Sequence, residues 1–509
     1  MRLTRRPGPA GTARRLAWWL PLLAAWSGLG PAAALEAQGI RLRGVTTTRF
    51  LELQRFEDDS VAESATLPYA GDFRQTPSGV VVRCNLDTWC RYKRSGEMAT
   101  SIPVWQDLQA TAWGLGEGVS VHADMRFRGA MGSLPALWPR AEDRFDLLSG
   151  YVELDRPRWT ARLGRQFVSN GMGVYNYDGL TLIARPHRIL TAEVWGGRSL
   201  LRGINEGYTS SEIANVEELP PDREAIIAGA SVRVRPTRFS SMRWMYQREA
   251  RWNGGLRSSG LYSDRMALDG TSRIVHGALD ASFEYDFAGR QLNEGRVRWR
   301  GLLPRNVEAS VEGRRFRPFF ELWTIWGAFA PVGFDELRLD GGWATRDHGL
   351  ALDFFGGWRK WQDANVGLAF QPLRQTGWRA GGDVTLRPLA RWVLSGHYDA
   401  DVGAGAARTE TDVAVRYETS DRFYVGLAGT SMQSLFEFRI GTGRMLGGGL
   451  DFGWRLTPVV RIAGDVMVYR HRQSSDSPFM NWTQRRGSVR LEWTMGGDPG
   501  LRTGARGAP

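Results

Sequence analysis

Beyond residue 44 the chain alternates apolar and polar residues with a period of two, the pattern of a strand with one greasy and one charged face. Between Gly118 and Gly129, Val119, Val121, Ala123, Met125 and Phe127 fall on one side, and Ser120, His122, Asp124, Arg126 and Arg128 on the other. Trp378, Ala380, Gly382, Val384 and Leu386 oppose Arg379, Asp383, Thr385 and Arg387 in the same way, and the pattern returns at Leu450, Phe452, Trp454 and Leu456 and at Val489, Leu491, Trp493 and Met495. Connections alternate in length. Short turns, such as those at Arg156-Pro157, Arg185-Pro186, Pro304-Arg305 and Pro458, take turns with longer stretches such as 57–102, 199–224, 316–335 and 471–486. The pattern predicts an all-β fold, a transmembrane antiparallel up-and-down β-barrel of about 22 strands with short periplasmic turns and long extracellular loops. Its first strand is Val45–Phe56 and its last Ser488–Met495, with 262–287 reading as one strand or two.

Composition narrows the alternatives. The chain has 509 residues, 42% of them hydrophobic, and only its N-terminus holds an apolar run near the ~20 residues that a membrane-crossing helix needs. A soluble propeller or sandwich would show one repeat motif per blade or strands buried on both faces, whereas one face of nearly every strand here is too charged for a dry core. Residues 1–37 read as a signal peptide: an Arg-rich start, an apolar stretch from Leu16 to Leu29, and small residues up to Ala34 or Ala37. A single anchoring helix is the rival reading, interrupted by Pro21 and Pro31. The barrel then covers 38–496, with a polar tail over 497–509.

The formal charge is +12, and Lys93 and Lys360 are the only lysines, so arginine dominates. Removing 1–37 takes away five arginines and one glutamate and leaves +8. Basic and acidic residues are interspersed along the chain, so no nucleic-acid partner is expected. Cys84 and Cys90, six positions apart in an exported chain, are expected to form a disulfide in the first long surface loop. The His residues are scattered, and no CxxC, CxxCH or HExxH occurs, so neither a metal nor another cofactor is expected.

These features together resemble the porin-like outer-membrane β-barrels of Gram-negative bacteria. Leu163-Gly164-Arg165-Gln166 followed by Asp178-Gly179-Leu180 is similar to a strand-loop-strand pattern of substrate-specific porins of the alginate-export kind. The last strand, with Gly487 ahead of Val489, Leu491 and Trp493, resembles the C-terminal signal read by barrel-assembly machinery, although a polar tail follows instead of a terminal aromatic residue. The resemblance implies residence in the bacterial outer membrane, contact with its lipid, dependence on the assembly machinery during biogenesis, and passage of small polar solutes.

With the greasy faces toward lipid, the charged faces point inward. Asp280, Glu284 and Asp286 share one strand face, Arg296, Arg298 and Arg300 the next, and Glu308 and Glu312 the one after. Two readings stand: cross-strand ion pairs that neutralise the wall, or a transverse field in a watery pore that selects polar solutes. The segment 314–336 is aromatic and flanked by charge. Either it folds inward as a constriction loop, with Arg314, Arg315 and Arg317 near Glu321, Asp335 and Glu336 and with Trp323 and Trp326 filling space, or it extends the flanking strands into an aromatic girdle. Ser395, His397 and Asp399 suggest a triad, but strand neighbours two apart sit about 6.6 Å apart, too far for its hydrogen bonds, and no enzyme activity is expected.

The expected function is a channel for passive diffusion of small polar or anionic solutes. Two alternatives remain. One is a structural sleeve holding a partner protein, such as an electron-transfer cytochrome, in the lumen. The other is a TonB-type receptor without its plug, since only about 7 residues separate the signal from the first strand.

Overall fold

The computed structural model describes residues 39–496 apart from 71–72, 78, 85–87, 133–143, 201–224, 252–260, 318–332, 346, 348, 363–375, 404–406, 438–440 and 474–480. The proposed signal 1–37 and the tail 497–509 lie outside the described residues. The first strands are β1 (Gly39–Ala62), β2 (Leu67–Ala70), β3 (Phe73–Gln75), β4 (Val81–Arg83), β5 (Trp89–Trp113), β6 (Val119–Gly132), β7 (Phe145–Arg156) and β8 (Trp159–Asn170). There follow β9 (Gly173–His187), β10 (Leu190–Ser199), β11 (Ala225–Thr237), β12 (Ser240–Arg251), β13 (Leu261–Ile274), β14 (Gly277–Asp286), β15 (Gln291–Leu303), β16 (Val307–Phe316) and β17 (Phe334–Ala344). The chain continues through β18 (Leu350–Trp361), β19 (Thr376–Leu389), β20 (Trp392–Val402), β21 (Ala407–Ser420), β22 (Phe423–Glu437), β23 (Gly441–Thr457), β24 (Val460–Gln473) and β25 (Trp482–Gly496).

Twenty-two of these strands form one antiparallel sheet in chain order, and β1 closes it by pairing with both β25 and β5. Closure leaves every wall strand with two partners, which is what a sheet needs in lipid, where an unpaired edge has no water to bond. The stretch 262–287 resolves into two strands, β13 and β14, joined by a tight turn in which His276 takes a φ of 63°. The first strand is longer than its alternation predicts, because its polar end stays paired with β5.

The alternation sets the two faces. Leu163, Val194, Leu339, Leu427 and Val466 are among the apolar side chains that stay exposed on the outer face, at 65%, 50%, 54%, 60% and 58%. The residues between them are polar and face the lumen. Exposed Trp159, Trp343, Trp392 and Trp454 stand near the short-turn end, and Phe145, Trp358 and Trp378 near the other, the two aromatic girdles of a bilayer-spanning barrel.

Two hairpins outrun the wall. β1 is matched by β25 only as far as Leu53, and β5 by β6 only from Ser101, yet the β1–β5 ladder continues to Ala62 opposite Trp89. This arm carries the small sheet β2–β3–β4, where Cys84 and Cys90 are joined by a disulfide beside Val80 and Val82.

The second hairpin is β8–β9. β8 follows β7 only up to Arg165 opposite Gly150, and β9 follows β10 only from Tyr177 opposite Ser199, while their own ladder runs on to Asn170 opposite Gly173. Residues 166–176 therefore leave the wall.

Candidate functional site

The released tip of β8–β9 folds into the barrel. Val168, Met172, Tyr175 and Tyr177 form one buried cluster with Trp195, Ile227, Met245 and Ala267, which lie on the inward faces of β10, β11, β12 and β13. The Arg265 guanidinium of β13 stands 5.5 Å from the centre of the Tyr175 ring, although four strand steps separate β9 from β13 around the wall. A Cβ on Gly171 would sit 3.3 Å from the Asp269 carboxylate. Asp269 is eight residues from the extracellular start of β13 and five from its other end, so the tip reaches about mid-barrel.

Local sequence explains why the chain bends here. Gly164 adopts a φ of +132°, and a Cβ there would collide with the Gly150 carbonyl oxygen. Arg165 holds Asp178 with two bonds of 2.8 and 3.0 Å across the base of the hairpin. Gln166 donates to the Gly179 carbonyl at 3.0 Å and accepts from Thr181 at 2.9 Å. The Leu163–Gln166 and Asp178–Leu180 motif thus marks the hinge of the inward hairpin. The tip beyond it, Val168 to Tyr175, carries the large apolar side chains that the inner wall receives.

Beside the tip runs a basic trough. A recess of about 550 Å³ is lined by Gly171, Asp269, Asp280 and the arginines Arg233, Arg235, Arg243, Arg296, Arg298 and Arg300. A second recess of about 920 Å³ shares Arg298 and Arg300 and extends past Glu308, Arg338, Asp340 and Asp353 to His276 and Phe239 at the short-turn end. Six arginines face two aspartates in the first recess, so its potential is positive.

The expected pore residues divide. Asp280 accepts from Arg300 at 2.7 and 3.0 Å, Arg298 lies 3.0 Å from Ser310 and 3.6 Å from Asp340, and Glu308 lines the second recess. Arg296 has Arg314 as its register neighbour, and Arg314 pairs with Glu294 at 3.2 Å. Glu284, Asp286 and Glu312, by contrast, are buried to 8%, 4% and 8% exposure and are shielded from the open lumen. Glu284 is held by Arg265 at 2.7 Å and Asn293 at 3.1 Å, and Asp286 accepts the Ala288 amide of the following turn at 2.9 Å.

The flanks of the apolar segment extend the neighbouring strands. β16 runs to Phe316 and β17 starts at Phe334, so Arg314, Arg315, Asp335 and Glu336 are wall residues. Alternation then separates them. Arg315 and Asp335 pair at 2.7 Å on the outer face, whereas Glu336 faces inward with no exposed side-chain surface, accepting a hydrogen bond from Arg359 at 3.1 Å and forming an ion pair with Arg379 at 2.6 Å. Arg317 donates its amide to the Asn293 carbonyl at 2.6 Å, and Glu321, Trp323 and Trp326 lie outside the described residues. Ser395, His397 and Asp399 share the inward face of β20, but His397 reaches across to Asp383 at 2.8 Å.

No family model matches the chain, and no curated protein does. Among solved structures it is similar to OccAB4 of Acinetobacter baumannii, at 7% identity over 91% of this chain and 100% of that one, with a TM-score of 0.36. It is similar to the P pilus usher PapC translocation pore at 9% identity, 89% and 100% coverage and a TM-score of 0.43. It is similar to a mutant of the ferric enterobactin receptor PfeA of Pseudomonas aeruginosa at 8% identity, 89% and 80% coverage and a TM-score of 0.48. At such identities function has to be read from this chain's own lumen. Closure, an even strand number, a lipid-facing apolar belt and two aromatic girdles make the protein a bacterial outer-membrane β-barrel.

Proposed function

We propose that the protein is a passive outer-membrane channel for small polar solutes, with a preference for anions set beside the β8–β9 tip. The observation that carries this is the juxtaposition at mid-barrel of the tip residue Gly171 with an inward row of six arginines and two aspartates. The tip narrows the path, and the guanidinium groups stay charged at any accessible pH. A solute passing the tip therefore meets a fixed positive field in a partly dehydrated space, where such fields act most strongly. A sleeve for a folded partner is not favoured, because the tip already occupies part of the lumen.

Reversal potentials in a salt gradient across a planar bilayer test the proposal. The parent channel is expected to favour anions modestly, and less so at 1 M than at 0.1 M salt, where the screening length is about 3 Å rather than about 10 Å. Replacing Arg296, Arg298 and Arg300 together by Gln should move selectivity toward cations, because Asp280 loses its partner. A cation-selective parent, or an unchanged triple variant, would sink it.

A further inference from the structure

The outer face carries charge as well, at the long-loop edge of the lipid belt. Two rows there carry only one cation in excess each. Arg165, Asp178 and Arg198 lie side by side in register on β8, β9 and β10, and Arg315, Asp335 and Lys360 do the same on β16, β17 and β18. Each is an acid between two cations, with the acid closed on one of them at 2.8 or 2.7 Å.

The face of β23, β24 and β25 is different. Arg444, Arg470, Arg472 and Arg485 are all exposed there, on the same side as Leu446, Leu450, Val466 and Val468. Arg444 stands directly opposite Arg472, Arg470 lies two residues from Arg472 on the same face, and Arg485 opposes Val468. Among the described residues the one acid in the group is Glu52, bound to Arg485 at 2.9 Å. Four cations against one acid leave three positive charges in excess.

Like charges directly across a strand pair are destabilising unless an anion lies between them. Height identifies where that anion comes from. Arg444 is ten residues along β23 from the girdle residue Trp454. At about 3.4 Å per residue and a tilt of about 40° this is about 26 Å of height, matching the ~25 Å apolar band. Arg444 and Arg472, directly opposite each other, thus sit where lipid head groups begin, and Arg470 and Arg485 lie two and four residues nearer the belt, from where their long side chains snorkel toward the same level.

We propose that this patch binds the phosphate groups of a phosphorylated glycolipid in the outer leaflet. Guanidinium groups suit the task because their planar donor forks bind phosphate oxygens two at a time. The patch lies on the outer wall, away from the β8–β9 tip and the trough, so lipid binding and conduction are separable.

Native mass spectrometry of the detergent-solubilised full chain, loaded with bis-phosphorylated lipid A, tests this. The parent should retain the lipid, and the triple variant Arg444→Gln, Arg470→Gln, Arg472→Gln should retain it about tenfold less or worse, given the typical attraction of each basic side chain to an anionic surface. Variants Arg315→Gln and Lys360→Gln, in a row with a single cation in excess, serve as controls and should bind like the parent. Equal retention by the triple variant overturns the proposal, as does equal retention of dephosphorylated lipid A by the parent. Displacement of the lipid by inorganic phosphate at matched concentration would assign the patch to free phosphate instead, and also overturns it. The shift in gel mobility on boiling shows that each variant is folded, and unchanged conductance and reversal potential in the triple variant keep this result independent of the channel assignment.

Discussion

The two hairpins that outrun the wall are built from the same ladder and end in opposite places. In the arm, Glu57, Asp59, Tyr92 and Arg94 decorate the strands, with Arg94 3.5 Å from Glu57 and 3.4 Å from Asp59 and the Tyr92 hydroxyl 3.2 Å from Asp59. Such a ladder is stable in water with only a small core at its end. The β8–β9 tip carries Val168, Met172 and Tyr175, which water does not solvate well, and the inner wall opposite offers Trp195, Ile227, Met245 and Ala267. Side chains on the extension decide whether a hairpin stays in solvent or docks inside, because burying one Met or Tyr side chain gains about 1.5–3 kcal/mol.

That comparison breaks most visibly at the tip. Met172→Glu combined with Tyr175→Ser removes the docking side chains and places a charge in an apolar pocket, which costs several kcal/mol while the tip stays in place. The tip should leave the inner wall, and single-channel conductance in planar bilayers should rise well above the parent value. Equal conductance would mean that the tip does not narrow the path.

A smaller effect is expected at the hinge. Gly164→Val forces a β-branched residue into a φ of +132° and drives its side chain into the Gly150 carbonyl, a strain of about 1–3 kcal/mol or more. Because Gly164 is still part of the wall ladder opposite Tyr151, the cost falls on barrel assembly as well as on the bend. The refolded fraction that migrates fast without boiling should fall, and an unchanged yield would show that the backbone relaxes there without penalty.

How much of this was legible in the residues depends on range. The wall was legible because alternation is local: Val119 to Phe127 against Ser120 to Arg128 fixes a strand and its faces without knowing its neighbours. The pair of Arg300 with Asp280 follows once the neighbouring strands β14 and β15 are aligned, whereas Arg298 reaches past β16 to Asp340 on β17. The aromatic stretch 314–336 reads two ways because apolar loops are costly in water; its flanks extend the neighbouring strands, with Arg315 and Asp335 pointing outward, and 318–332 lie outside the described residues. What was missed is short. Gly171 and Met172 make a turn too brief to read as a constriction loop, and the tip shares its buried cluster with residues of β10, β11, β12 and β13, a packing that no local pattern encodes. The signal that could have found it was Val168, Met172 and Tyr175 between two glycine-containing motifs at the extracellular end of a hairpin, where polar residues are the rule. Glu284 and Asp286 share the inward face of Asp280 but lie buried at the extracellular end of β14, where Arg265 and Asn293 on the adjacent strands hold Glu284.

The smallest effect concerns the arm. Reducing the link with Cys84→Ser frees a closed loop of about seven residues, which in the chain-entropy account is worth about 2 kcal/mol, or about thirtyfold in local opening. That opening is confined to β2, β3 and β4, strands of three or four residues that need the crosslink to persist in water. The wall does not feel it, because residues 54–62 and 89–100 pair with each other and the β1–β25 ladder stops at Leu53. Limited proteolysis should therefore cut the variant within the arm much faster than the parent, while conductance and the boiling-dependent shift in mobility stay the same. Finding two free thiols in the unreduced parent by mass spectrometry would remove the basis of this prediction. A change in conductance on opening the arm would show that its end reaches the lumen after all, and the contrast between an arm that stays in solvent and a tip that docks would fail.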